Sequence, residues 1–383
     1  MTASASFIPF ANPGAAYASR KKSIMEAVAR SFDSGYYILG AEVEAFEKTF
    51  AKYLGVEHAI GCGNGTDALE LALRALGVGP GKAVFTVSHT AVATVSAIER
   101  AGGVPVLVEI DPETYTMSAV SLTEALELVQ KKHPELTPSV VVPVHLYGHP
   151  CDMDAILDVA ARGGCTVLED CAQAHGARYK GKMVGSIGTL AAFSFYPTKN
   201  LGALGDAGGV TTNDAVLAGE VAALRQYGWK ERYVSSEAGI NSRLDPVQAA
   251  ILSVQLKYLD ADNAARKRIA KMYDTSLADC GLALPTAASW AEHAFHLYVM
   301  QCRGRDSLMA FLRERGIGSA VHYPVPVHLQ PAYKDHILLA PGGLSVTESI
   351  ADNIVSLPMF PQLSDDDVAR VCSMVREWAG AGS

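Results

Sequence analysis

Apolar and polar positions along the chain fall into two alternating rhythms. Short, nearly continuous apolar runs occur at His58–Cys62, Ala83–Ser88, Val104–Ile110, Val140–Tyr147, Cys165–Asp170 and Leu190–Tyr196. Between them lie longer stretches whose apolar residues recur every third or fourth position. Runs that are apolar on both faces predict strands of a mostly parallel sheet covered on both sides, and the longer stretches predict the covering helices. Helices are expected over Arg20–Ser31, Ala91–Ala101, Leu122–Lys132, Met153–Arg162 and Ala215–Tyr227. Another begins at Ala41, with Val43, Phe46, Phe50, Tyr53 and Leu54 on one face. Residues 208–214 add a further strand. Asp245 and Pro246 open a long helix, with the acid as N-cap and the proline in the first turn. Beyond it the pattern predicts a strand at His293–Cys302 and a helix at Ser307–Arg315, capped by Asp306 and stopped by Gly316. A proline-interrupted loop follows over 319–333, and Ile350–Leu357 and Asp365–Trp378 close the chain.

The reactive side chains concentrate between Cys165 and Asn200. One strand ends in Glu169 and Asp170, with Gln173 and His175 just beyond; another leads through Ser194 to Lys199, before the glycine-rich LGALGDAGG. Two strands of one sheet that each deliver a single group, an acid and a lysine, bring them together at one sheet edge. That pair equips a pyridoxal phosphate enzyme. The amine links covalently to the cofactor aldehyde, and the carboxylate keeps the pyridine nitrogen protonated so that the ring accepts electrons. Taken singly, each residue has a plainer account. A lysine before Asn and Gly is usually a surface residue, an Asp after a strand often caps a helix, and a lone histidine is more often structural. Gly63, Asn64, Gly65 and Thr66 open the helix after His58–Cys62, and such a helix start suits a phosphate.

The segments EDCAQAHGA and GSIGTLAAFSFYPTKNLGALGDAGG resemble the core of the nucleotide-sugar aminotransferases, the DegT/StrS family of pyridoxal 5'-phosphate (PLP) enzymes. The resemblance runs from about Phe32 to Phe360. It implies an α/β architecture of PLP fold type I, like aspartate aminotransferase. A large domain over 1–244 would carry a mostly parallel seven-stranded sheet between helices. A long connecting helix would span 245–279, and a smaller α+β domain 280–383. It further implies that Gly65, Thr66 and Ser194 bind the PLP phosphate, and that His89 stacks on the ring. Gln173 would meet the cofactor hydroxyl, and His175 would orient Asp170. Asn241, in GINSRLD, would reach the phosphate of a neighbouring subunit, which implies a homodimer with shared sites; its plainer account is to order its own turn. Tyr37, His322 and Tyr323 are candidate substrate contacts, although Tyr36 and Tyr37 read equally well as core aromatics. Family members with His in place of the lysine do other chemistry; Lys199 favours transamination. INSRLDPVQAAIL and VHYPVPVHLQPAY most resemble members that aminate C-3. The expected reaction therefore moves an amino group from L-glutamate to a nucleotide-linked ketosugar, first a dTDP-3-keto-6-deoxyhexose. A UDP-3-keto sugar, a 4-ketosugar and a keto-cyclitol are the alternatives, and a sensor of the same fold without turnover is the alternative of another class.

Composition narrows the picture little. The chain has 383 residues, 49% hydrophobic and 19% charged. A net charge of −8 argues against nucleic-acid binding, which wants a basic face. Seven cysteines without a CxxC pair argue against a disulfide framework or a zinc site. His145 and His149 have a ligand-like spacing but fall on or after a strand, so no metal is expected. No leader and no long apolar run occurs, which predicts a cytoplasmic protein rather than a membrane protein.

Overall fold

The computed structural model describes residues 6–334 and 336–381. An entry helix α1 (Pro13–Asp33) starts with proline in its first turn, and the Asn12 side chain accepts from the Ala15 N–H. Helix α2 (Ala41–Leu54) buries Val43, Phe46, Phe50 and Leu54, as its spacing predicts. The chain then alternates: β1 (His58–Cys62), α3 (Gly65–Ala75), β2 (Lys82–Val87), α4 (Ala93–Arg100), β3 (Val104–Val108), α5 (Ala119–Lys132), β4 (Thr137–Val141), α6 (Met153–Arg162), β5 (Thr166–Asp170), β6 (Leu190–Ser194), β7 (Gly208–Thr212) and α7 (Ala215–Leu224).

These strands form one sheet in the order β1-β7-β6-β5-β4-β2-β3. The pairs β6–β5, β5–β4, β4–β2 and β2–β3 are parallel, and β7 runs antiparallel to both neighbours. The expected seven strands are joined by an eighth: β8 (Leu338–Leu339) returns from the C-terminal region and pairs in parallel with β3. Two residues carry no readable periodicity, which is why the pattern missed it. The strand expected to reach Tyr147 stops at Val141, because Pro143 has no N–H for a ladder and the chain then turns through 146–148.

The expected connecting helix is two helices, α8 (Pro246–Leu256) and α9 (Leu259–Leu277). At the break, Lys257 and Tyr258 donate to carbonyls three residues back, which tightens the turn. Arg20 of α1 braces the joint: it lies over the Tyr258 ring at 4.4 Å, bonds Gln255 at 2.5 Å and holds Asp262 with both oxygens at 2.6 Å. Asp245 occupies the N-cap position of α8 without a side-chain capping bond. In the C-terminal region, Tyr298–Gln301 pairs antiparallel with Ile354–Leu357, among α10 (Arg305–Glu314), α11 (Ser345–Asn353) and α12 (Asp365–Ala381). Asp306 lies in the first turn of α10, behind the N-cap Gly304. Among the described residues no helix is long and apolar enough to cross a membrane.

Candidate active site

A cavity of about 470 Å³ opens where β5 and β6 end and α3 begins, and it is lined by Gly65, Thr66, Asp170, Gln173, Ser194 and Lys199. Six residues named from the sequence therefore meet in one place. At its phosphate-like end, Asn64 caps α3 by accepting from the Asp67 N–H at 2.9 Å, worth about 1 kcal/mol. The amides of Gly65 and Thr66 have no partner within the helix, which leaves them for an anion. Glycine is required at 65: a Cβ there would lie 2.6 Å from the Ser194 Cβ. The Ser242 hydroxyl ties this helix start to the loop carrying Asn241. It accepts from the Gly63 N–H at 2.9 Å and donates to Asp67 Oδ2 at 2.7 Å.

At the other end stands Asp170, 4% exposed. Its carboxylate accepts from the Thr94 hydroxyl at 2.9 Å and from the Ala172 N–H at 3.1 Å. Burial raises its pKa; those two bonds and the Lys199 charge oppose the rise. Burial brings Lys199 down to about 8, and Asp170 pulls it back up. Gln173 is held on both sides, its Oε1 by the Tyr147 N–H at 2.7 Å and its Nε2 by donation to the Tyr323 phenol at 3.0 Å.

These groups fit PLP. The helix start suits its phosphate, and the pocket is tight where Gly65 meets Ser194. A buried carboxylate whose pKa is raised lacks a firm cationic partner, which a protonated ring nitrogen supplies. A lysine brought down to about 8 is a nucleophilic amine.

Other predicted residues stand elsewhere. His89 does not line the cavity: it is 1% exposed and its Nε2 lies 2.7 Å from the Tyr147 phenol. The backbone turns at the end of β2, and Thr90 and Ala91 face the cavity instead. His175 makes no hydrogen bond to Asp170 among the described residues. Its ring packs beside Phe193 and Phe195, and burial, followed by the Lys199 charge, takes its pKa down to about 3. The side-chain hydrogen bond to the Asp170 carboxylate comes from Thr94. Asn241 and Tyr37 are exposed and outside this cavity, with the Tyr37 phenol 3.4 Å from the Phe32 carbonyl. His322 stacks on Phe10 and shares a 2.9 Å bond with Ser356; Tyr323 reaches the site through Gln173.

Thr94 and Tyr147 were not foreseen. Thr94 sits in a helix's first turn, and Tyr147 in what reads as a strand. His145, Glu169 and Cys171 place ligand-type atoms within 4.8 Å of one another. Glu169, however, already accepts from the N–H groups of Gly185, Ile187 and Gly188, and His145 joins the Cys151 N–H to Glu169. The cluster thus braces the end of β5.

The chain matches the model of the DegT/DnrJ/EryC1/StrS aminotransferase family over residues 18–376. It is 44% identical over 377 residues to the dTDP-3-amino-3,4,6-trideoxy-alpha-D-glucose transaminase of Streptomyces venezuelae, covering 97% of this chain and 96% of that one. It is 45% identical, over 98% of this chain and 100% of the other, to the erythromycin biosynthesis sensory transduction protein EryC1 of Saccharopolyspora erythraea. The crystal structure of a DegT DnrJ EryC1 StrS aminotransferase from Brucella abortus superposes with a TM-score of 0.95 at 40% identity, covering 97% of this chain and all of that one. Every residue that lines the cavity falls inside the family match, and the chain belongs to the DegT/DnrJ/EryC1/StrS aminotransferase family as a PLP-dependent aminotransferase.

Proposed function

We propose that this aminotransferase moves an amino group from L-glutamate to C-3 of a nucleotide-linked 3-keto sugar, with a dTDP-3-keto-6-deoxyhexose as the first candidate. The observation that carries the chemistry is the meeting of the Lys199 amine, brought down to about 8 by burial, with the buried Asp170 carboxylate in one cavity that also takes in the start of α3. The sugar rests on the Streptomyces relative, whose name is that of a dTDP-3-amino sugar transaminase.

When bound, PLP supplies an electron-accepting ring that stabilises negative charge on the neighbouring carbon. Lys199 anchors it, then takes and returns the proton at its Nζ; near neutral pH part of this amine is already uncharged. Asp170, steadied by Thr94, sets the charge on the ring nitrogen. Gln173 meets the ring hydroxyl, and Gly65, Thr66 and Ser194 take the phosphate. His322 and Tyr323 are the substrate-facing groups of the C-terminal region.

The working unit is a homodimer with shared sites. Asn241 and Tyr37 are exposed, and beside Tyr37 an apolar patch of Phe32, Tyr36 and Ile38 lies open, Tyr36 at 73%. Free cysteines throughout the described residues fit a reducing compartment, the cytoplasm. A sensor without turnover is the second reading, prompted by the name of the EryC1 relative. Against it, Asp170, Gln173, Ser194 and Lys199 are all present and meet in one cavity.

The test is a panel of nucleotide ketosugars with L-glutamate, the aminated carbon being read by NMR. Amination at C-3 is expected. Amination only at C-4, or only of a keto-cyclitol, refutes the sugar assignment; bound PLP without any turnover favours the sensor.

A further inference from the structure

Tyr147 stands between Gln173, on the cavity wall, and the His322–Tyr323 segment. It is 3% exposed, and its φ of 59° is a region that residues with side chains seldom enter. Such a backbone persists only where its surroundings hold it. Beside the Leu297 N–H, which donates to the Tyr147 carbonyl at 3.3 Å, three hydrogen bonds reach Tyr147 from the site side. Its N–H donates to Gln173 Oε1 at 2.7 Å, its phenol donates to the His322 carbonyl, and His89 Nε2 lies 2.7 Å from the same phenol oxygen.

The donors can be assigned. A phenol has one proton, and here it goes to the carbonyl. His89 therefore donates from Nε2, which leaves Nδ1 bare, and Nδ1 indeed has no partner among the described residues. Burial takes the His89 pKa to about 4, so the ring stays neutral with its single proton where Tyr147 needs it. Burial also raises the Tyr147 pKa well above the usual phenol value and keeps the hydroxyl protonated.

Gln173 then continues to the Tyr323 phenol at 3.0 Å, and Tyr323 follows His322 in the chain. The result is a closed loop from Tyr147 through Gln173, Tyr323 and His322 back to Tyr147. It joins the strand-end side of the site to the C-terminal segment. One Nε2 proton of Gln173 is used inside the loop, and the amide has a second.

We propose that Tyr147, backed by His89, is a positioning residue that sets Gln173 and Tyr323 in register, so that the second Gln173 N–H is held for the cofactor hydroxyl and Tyr323 for the substrate. This rests on the reading of Gln173 as the cofactor's partner. Neither Tyr147 nor His89 lines the cavity, and each acts through the loop.

The experiment is a double-mutant cycle of Tyr147→Phe and Tyr323→Phe, read on two properties of the protein with PLP: its half-saturation concentration, and the pH midpoint of the bound cofactor's visible band. The thermal midpoint of the apoprotein is the control. Each single change removes one loop bond and should weaken PLP binding roughly 3- to 10-fold, with a shifted band midpoint. Because either change opens the same loop, the double variant should be little worse than the weaker single one. Multiplying effects overturn the proposal. So does a lowered thermal midpoint with unchanged PLP affinity and band, which is what a merely structural tyrosine would give. If Tyr147→Phe does not fold, the cycle is run with His89→Ala, which removes the backing of the Tyr147 phenol, against Tyr323→Phe; effects that fail to multiply support the proposal, and multiplying effects refute it. If Gln173→Ala leaves the wild-type band and affinity unaltered, the reading of Gln173 fails, and the proposal with it. Multiplying effects beside a Gln173→Ala change that does matter refute the proposal alone.

Discussion

Asp170→Asn should drive the Lys199 amine further from its ordinary titration, not back toward it. In the protein without cofactor this amine sits at about 8, against 10.5 for a free lysine, because burial penalises its charged form. The Asp170 carboxylate is the opposing influence, and an amide of the same shape removes it. A carboxylate in interacting range shifts a neighbour by about one unit or more, so Lys199 in the variant should titrate roughly one unit lower. At pH 7 the uncharged fraction would then rise from about a tenth to about a half. The assay is competitive labelling of the apoprotein with an amine-reactive reagent across pH, followed by mass spectrometry of the Lys199 peptide. The variant should capture PLP faster at pH 7, yet its transamination should fall by orders of magnitude, because the ring nitrogen loses its countercharge. The same depressed pKa gives a stability signature. Between about 8 and 10.5 the unfolded chain binds more protons at this lysine than the folded one, so apoprotein stability rises with pH through that window. The rise is at most about 3 kcal/mol, and below 8 the penalty is fully present. Wild-type Lys199 titrating at its free value, or an upward shift in the variant, would refute the reasoning.

Three further outcomes are expected. Lys199→Ala should lose covalent capture of PLP and steady turnover together, seen as a missing visible band; full turnover by this variant would sink the assignment. Gly65→Ala puts a Cβ 2.6 Å from that of Ser194, so PLP half-saturation should rise about tenfold or more and the thermal midpoint of the apoprotein should fall, overpacking of this kind costing about 1–3 kcal/mol; unchanged binding would refute the close approach. Mixed dimers of Lys199→Ala chains with Asn241→Ala chains should recover activity beyond either parent, since one site then holds both intact residues; no recovery in verified mixed dimers, from folded and impaired parents, counts against sharing.

The part of this site that was legible in the sequence is the part whose groups lie at the ends of regular elements. Asp170 ends an apolar run that can only be a strand, Ser194 ends another, and Gly65 opens a helix. For such residues the element's rhythm fixes the position and the sheet edge fixes the meeting place. His89 lies two residues past the end of β2. Once β2 stops at Val87, no alternation rule says which way the next ring turns, and the answer came from Tyr147, distant in sequence. The surroundings of His175 were hidden for the same reason: they are Phe193 and Phe195, brought in by a neighbouring strand.

Thr94 shows the converse failure. Its helix was foreseen, but a threonine in a first turn looks like helix material, and only the position of α4 against β5 brings its hydroxyl to Asp170. The break between α8 and α9 was hidden because neither glycine nor proline marks it; it is held from outside by Arg20 of α1. Chain-local signals thus predict which groups gather at the cavity. The orientation of each group is set by partners from other elements, as Tyr147 holds Gln173, Thr94 holds Asp170 and Ser242 holds Asp67. It follows that the substitutions most informative about this enzyme lie one hydrogen bond behind the cavity wall, where a change leaves the reacting groups in place and alters only how they are aimed.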